Sequence, residues 1–159
     1  MGLSSLLYVS NSTIPSSDAD VVSQQIVATA VARNPELGLT GALLFTGEHF
    51  AQVLEGELDA IDLLMEAITR DSRHNQVRFV ECGPLPERRF KAWSMAYFGP
   101  SVFVSRYVTR LMNDMPPSDQ RHYAYWLNEL MRQFAAVPTM VGMQESRGVP
   151  TSARVESRH

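Results

Sequence analysis

The chain has 159 residues, 45% of them hydrophobic, with a formal charge of −3 and a pI near 5.8, which suits one compact domain with an appendage. No Lys/Arg block occurs, so an electrostatic footprint for nucleic acid is absent and no direct nucleic-acid partner is expected. The single cysteine, Cys82, excludes an internal disulfide and a cysteine-based zinc site; there is no basic-then-apolar leader and no run near the roughly 18 apolar residues of a membrane span, so a soluble, cytoplasmic protein without a membrane partner is expected.

Residues 5–10, SLLYVS, read as a short strand with Leu6, Tyr8 and Ser10 on one face and Leu7 and Val9 on the other. After a loop containing Pro15, Ser17 and Asp20 have the spacing of a capping box that opens a helix. Val22, Ile26, Thr29, Ala30 and Arg33 fall on one stripe of it. Pro35 disfavours helical geometry in Asn34, so the helix ends there.

The stretch from Gly38 to Gly56, GLTGALLFTGEHFAQVLEG, reads as a β-hairpin turned at Thr46 to His49, with Gly47 at the first central position as a type II′ turn prefers. Alternation places Leu39, Gly41, Leu43 and Phe45 on one face of its first strand. It places Phe50, Gln52 and Leu54 together on one face of the second. A primary amide therefore points the same way as two large apolar neighbours. A buried amide without a partner costs about 1–3 kcal/mol, so Gln52 has either a protein partner or a polar ligand against it.

A second helix covers about 59–70, with Leu58, Ile61, Leu64, Met65 and Ile68 as its apolar face, and DSRHN (71–75) is a polar exit. Val77, Phe79 and Glu81 alternate with Arg78, Val80 and Cys82 in a fourth strand, where Cys82 is expected to pack, and 83–87 is a loop with two prolines. WSMAYF (93–98) is a fifth strand with Trp93, Met95 and Tyr97 on one face. The order β-α-β-β-α-β plus one strand is the ferredoxin-like arrangement, an α+β fold. Right-handed crossovers put both helices on one side of the sheet, leaving a slot between them.

Beyond Gly99-Pro100 two further helices are expected, one over 102–113 and one capped by Ser118. The second carries a stripe of Tyr123, Trp126, Leu127, Leu130, Met131 and Phe134, which either covers the bare face of the sheet or meets another molecule. The division expected is 1–98 for the ligand-binding domain, 99–137 for helices that cap it or carry output, and 138–159 for a disordered tail, poor in apolar residues.

Tyr8 and Gln52 lie on strands that are neighbours in such a sheet, so a phenol and an amide meet at the floor of the slot, or simply form a satisfied core hydrogen bond. Asn34 reads either as an ordinary helix-terminal Asn or as an amide for a planar heterocycle. Arg33, Asp71, Arg73 and His74 ring the rim, or are solvated charges. No dinucleotide, Walker, nucleophile-elbow or zincin motif occurs, and the four histidines lack metal-ligand spacing. The residues alone lead to a slot with convergent polar groups, the default for a small-molecule site.

Five runs, taken in order, resemble one family: LLYVS (6–10), NPELGLTGALLF (34–45), FAQVLEG (50–56), ITRDSRH (68–74) and ERRF-x-x-WSM (87–95). Over roughly residues 3–98 the chain resembles the BLUF domain, a blue-light sensor using FAD. The resemblance implies a ferredoxin-like domain with the isoalloxazine ring between the two helices, and FAD, or FMN or riboflavin in the same site. It places the photoactive tyrosine on Tyr8, the switching glutamine on Gln52, the flavin-bonding asparagine on Asn34, and the signal-carrying pair on Trp93 and Met95. Further cofactor contacts fall on Ile26, Ile68, Arg33, Asp71, Arg73 and His74. Ala51 and Arg33 depart from the residues usual at their positions.

The mechanism implied is light-driven, proton-coupled electron transfer from Tyr8 to the flavin. Gln52 is left rotated or tautomerised, the absorption shifts to the red, and no net reaction is catalysed. Output would pass to a separate downstream protein or through a homo-oligomer. Two rival readings carry different colours. A flavin-free ferredoxin-like binding module would be colourless, and a redox flavoenzyme would bleach with NAD(P)H.

Overall fold

The structure, a computed structural model, describes residues 2–136. Its elements run β1 (Leu3–Ser12), α1 (Ala19–Arg33), β2 (Thr40–Phe45), β3 (His49–Gly56), α2 (Leu58–Arg70), β4 (His74–Leu85), β5 (Trp93–Phe98), α3 (Val102–Met112) and α4 (Pro117–Ala135). The expected tail over 138–159 lies outside the described residues.

The strands form one sheet in the order β4-β1-β3-β2-β5. β1 pairs antiparallel with both β3 and β4, β2 pairs antiparallel with β3, and β5 joins the edge parallel to β2. This is the ferredoxin-like order with a fifth strand, as the element pattern predicts. Gly47 turns the β2–β3 hairpin with φ +94°. Gly41 has φ +145°, and a Cβ there would stand 1.9 Å from the Val53 carbonyl oxygen, so only glycine lets β2 close against β3.

Both faces of the sheet are buried, and alternation divides the core in two. Leu6, Tyr8, Leu43, Phe45, Phe50, Leu54 and Trp93 pack under α1 and α2 with Ala30, Ile61, Leu64 and Met65. Leu7, Val9, Leu44, Ala51 and Val53 pack on the opposite face, beneath Val104, Val108 and Leu111 of α3 and Leu127 and Met131 of α4. The stripe on α4 thus largely covers the sheet, although Trp126 stays 46% exposed.

Several local expectations are corrected. The Ser17–Asp20 capping box does not form: 16–18 make a 3₁₀ turn, α1 starts at Ala19 without a side-chain cap, and Ser23 Oγ donates to the Asp20 carbonyl. Ser118 lies inside the first turn of α4 and does not cap it, whereas Ser101 caps α3 by accepting from Val104 N. Leu58, at the first position of α2, is 45% exposed.

Two bulges reset alternation. On β4, Leu7 pairs with Glu81 but Tyr8 with Phe79, so Val80 joins the α3/α4 core and Glu81 accepts from Asn128 of α4. Cys82 is exposed, not packed. On β5, Leu43 pairs with Met95 but Leu44 with Tyr97, which sends Tyr97 to the face opposite Trp93 and Met95.

The link from β4 to β5 is fastened by a buried charge. Glu55, fully buried on β3, accepts from the backbone N–H groups of Arg89 and Phe90 and from Arg89 Nε at 2.9 Å. Arg89 Nη2 also donates to Ser5 Oγ, and Arg88 donates to the carbonyls of Glu55 and Gly38. The carboxylate is fully satisfied, which is the condition for burying one.

Candidate functional site

A cleft opens between α1 and α2 above the sheet, enclosing about 680 Å³ including its mouth. Tyr8, Gln52 and Trp93 form the floor with Leu43 and Phe50. Ile26 and Arg33 line it from α1 and Ile68 from α2, while Asp71, Arg73 and His74 stand where α2 passes into β4. Nine of the eleven residues singled out from the sequence therefore line one cavity. Asn34 and Met95 do not line it: Asn34 is fully buried just past the end of α1, and Met95 is partly buried in the same core layer.

The floor is a three-residue relay whose direction is determined by chemistry. Tyr8 and Gln52 are register partners on β1 and β3. Trp93 Nε1 lies 2.9 Å from Gln52 Oε1, and Gln52 Nε2 lies 2.7 Å from the Tyr8 hydroxyl. An indole N–H can only donate, so the amide must turn its oxygen to Trp93 and its nitrogen to Tyr8. The Tyr8 oxygen accepts, which leaves its own proton, and the second N–H of Gln52, unclaimed by this pair. Burial pushes the Tyr8 phenol far above its ordinary pKa, against a smaller opposing effect of the Gln52 hydrogen bond. Tyr8 therefore stays a neutral O–H.

Asn34 is oriented by the same logic. Arg33 Nε donates to Asn34 Oδ1 at 3.1 Å, and a guanidinium cannot accept. Asn34 Nδ2 is then a buried donor with no protein partner. Such a group costs about 1–3 kcal/mol unless an acceptor is supplied.

At the rim, Arg73 clasps Asp71 with Nε–Oδ1 at 2.9 Å and Nη2–Oδ2 at 2.6 Å, and its backbone N–H adds a third bond to Oδ1. The Arg73 side chain holds the Asp71 carboxyl below its usual pKa, outweighing partial burial. Partial burial lowers the pKa of Arg33, and the charge of Arg73 acts in the same direction. His74 has both ring nitrogens committed, Nδ1 to Ser10 Oγ at 2.7 Å and Nε2 to the Ile68 carbonyl at 2.6 Å. Since that carbonyl only accepts, Nε2 carries the proton, and His74 ties α2 to β1.

Sequence reasoning did not name five cleft residues: Leu43, Phe50, Thr29, Ala30 and Ala67. The first two share the alternation face of Gln52, and Thr29 and Ala30 share the stripe of Ile26, so both signals were present in the sequence. Ala67 carries none, being one small residue beside Ile68.

Fold and site define a ferredoxin-like domain built to take a ligand between two helices above a polar floor. The family described as "BLUF: Sensors of blue-light using FAD" matches residues 3–96. The chain belongs to the BLUF family: it is a flavin-binding blue-light sensor domain. It is 39% identical over 94 residues to photoactivated adenylate cyclase subunit beta of Euglena longa, covering 58% of this chain and 11% of that protein. It is 37% identical over 75 residues to the blue light- and temperature-regulated antirepressor BluF of Escherichia coli (strain K12), covering 47% and 19%. The chain thus spans a small fraction of the length of these relatives. Among solved structures, the dark state of the BLUF protein BlrB superposes with TM-score 0.62 at 30% identity, covering 85% of this chain and 97% of that one. No described helix is long and apolar enough to cross a membrane.

Proposed function

We propose that FAD occupies the cleft between α1 and α2 and that light changes the state of the Gln52 amide, with Tyr8 as electron donor. The observation that carries this reading is the relay Trp93–Gln52–Tyr8, whose amide is held by two hydrogen bonds that a half-turn would exchange. Asn34 Nδ2 supports it independently, because a flavin carbonyl supplies the acceptor that the protein lacks there. Ile26 and Ile68 would wall the ring, and Arg33 and Arg73 would meet the charged end of the cofactor at the rim. FMN or riboflavin offers the same ring to the same groups.

Bound flavin supplies the blue-light absorption and, once excited, the pull on an electron of Tyr8. Tyr8 is buried and neutral, so an electron leaves it together with its hydroxyl proton rather than leaving a buried cation. The electron and proton would pass to the flavin and then return to Tyr8; with Gln52 turned by that point, Oε1 would face Tyr8 and accept from its restored O–H. Nε2 faces Trp93, which loses its acceptor. Trp93 opens β5, which runs through Gly99 and Pro100 into α3, so a change at the indole reaches the helical layer along one strand. Met95, two residues on and in the same core layer, follows Trp93 in that path.

Output by contact with a downstream protein or a second copy, without a reaction of its own and in the cytoplasm, completes the proposal. Output through another protein is supported by the antirepressor relative, which aligns with this chain over 75 residues. The division at 98/99 is supported by the family match ending at residue 96.

One absorption spectrum before and after blue light tests it. The purified protein should be yellow and shift reversibly to the red, and Tyr8→Phe and Gln52→Leu should stay yellow without shifting. A shift surviving Gln52→Leu would overturn the mechanism, and a colourless protein would favour the flavin-free binding module.

A further inference from the structure

A second groove, about 1510 Å³ including its mouth, lies at the end of the sheet where β5 passes into α3. One wall is the side of α3 from Val102 to Arg110; the other is the turn between β2 and β3 together with the start of α1. Phe98, Pro100 and Val102 make its apolar part, and Val102 is 75% exposed. Arg106 and Arg110 stand on the α3 wall, Asp20 and Glu48 on the opposite one. Arg110 lies over the Tyr123 ring, whereas among the described residues Arg106, Asp20 and Glu48 form no ion pair. None of these groups serves the cleft between α1 and α2. An open apolar groove with unpaired charge of both signs on its walls suits an extended segment of chain.

The end of α4 indicates which segment. Phe134, in its last turn, stacks on Tyr97 with ring centroids 5.1 Å apart, and the Tyr97 hydroxyl donates to the Pro100 carbonyl at 3.0 Å. The last turn of α4 is therefore one aromatic stack and one hydrogen bond away from the groove wall. The sequence continues past Ala136 with VPTMVGM, in which Val137, Met140, Val141 and Met143 are apolar, and Glu145 and Arg147 follow. Unbranched methionine side chains adapt to irregular grooves. Extended, residues 137–145 reach roughly 30 Å, against about 12 Å of helix from Val102 to Arg110. A segment tethered so close acts at an effective concentration of about 1 mM, so weak affinity fills the groove, and a free partner would have to bind more tightly to displace it.

We propose that residues 137–147 fold back into this groove of the same chain. Val137 to Met143 cover Phe98, Pro100 and Val102, Glu145 pairs with Arg106, and Arg147 meets the acidic wall. The segment then covers the joint between β5 and α3, through which a change at Trp93 would pass into the helical layer. The inference goes beyond the flavin reading, and its tests are made in the dark, so its failure would leave that reading standing.

The first test is disulfide trapping in the full chain loaded with flavin. Ser105→Cys, on the α3 wall, is combined with Met140→Cys in a Cys82→Ser background, and Ser105→Cys with Val155→Cys is the control. Under mild oxidation the first pair should close within one chain about tenfold faster than the control. Equal rates, or a bond formed mainly between two chains, overturn the proposal. The second test is hydrogen exchange followed by mass spectrometry. Amides of 137–147 should exchange about tenfold more slowly than in a free peptide of that sequence. Met140→Asp should abolish this protection; Arg106→Glu and Glu145→Arg should each cut it about threefold, and the two together should restore it. Exchange at the free-peptide rate in the wild type, or protection that survives Met140→Asp, overturns the proposal.

Discussion

On β1, Leu7 and Val9 face α3 and α4, fully buried, while Tyr8 between them faces α1 and α2 and carries a hydroxyl. On β3, Ala51 and Val53 do the same on either side of Gln52. The same strands thus build two faces of different character. Toward α3 and α4 the sheet contacts are mostly hydrocarbon and the buried charge of Glu55 is completely partnered, although Asn128 Oδ1 of α4 has no partner. Toward α1 and α2 the face holds groups with more hydrogen-bonding capacity than the protein uses: the Tyr8 proton, the second N–H of Gln52 and the orphan Nδ2 of Asn34. The closed face sets stability, and the open one offers unpaired groups to a ligand.

That contrast can be broken by exchanging the roles of the two faces. Gln52→Leu should abolish the light-induced shift altogether. Leu127→Ala, at a fully buried position under α4, should cost about 3 kcal/mol and leave the shift intact. Denaturant midpoints and light-minus-dark spectra on both variants decide the matter. A Leu127→Ala protein that folds but no longer shifts would show that the helical layer and the floor are one unit.

Glu55→Ala sharpens the comparison from the other direction, being the polar group on the closed face. It removes the acceptor of two backbone N–H groups and of Arg89, so about 2–3 kcal/mol should be lost. The loss stays below that of an isolated buried pair, because the Arg89 side chain is 32% exposed and turns to water. An unfolding free energy within about 0.5 kcal/mol of wild type would mean that the link from β4 to β5 is held by something else.

What the sequence disclosed follows from the same division. Period-two alternation in SLLYVS and FAQVLEG places Tyr8 and Gln52 on one face, and the β-α-β-β-α-β order makes their strands adjacent, so the floor was legible before any coordinates. Alternation failed where a bulge inserts a residue, at Val80 on β4 and Ala96 on β5, and those misplacements include Tyr97 and Cys82. A bulge leaves no mark in a run of apolar residues, because both registers bury similar side chains. Helix starts failed for a related reason: Ser17 and Ser118 have capping chemistry, but the chain enters α1 through a 3₁₀ turn and α4 through Pro116-Pro117. The Glu55 clamp was out of reach, since its partners lie more than thirty residues away in a loop. The two committed nitrogens of His74 likewise needed Ser10 and Ile68 in place.

The smallest effect expected is at the rim of the open face, in the Asp71–Arg73 clasp. The Arg73 hydrogen bond holds the Asp71 carboxyl below the usual carboxylate range. A depressed acid adds stability above its unfolded pKa, and that contribution disappears as pH falls through the folded value. Asp71→Asn should therefore destabilise the protein at pH 7, and by less at a second, acidic pH where the wild-type carboxyl takes up its proton. The side chains are 31% and 41% exposed, so solvent screening limits the effect to a few tenths of a kcal/mol. Chemical denaturation of the two proteins at both pH values measures it. A gap above 1 kcal/mol, or one that widens on acidification, would assign Asp71 to the core of the fold. A small gap leaves the clasp its other role, holding the Arg73 guanidinium at the mouth of the cleft.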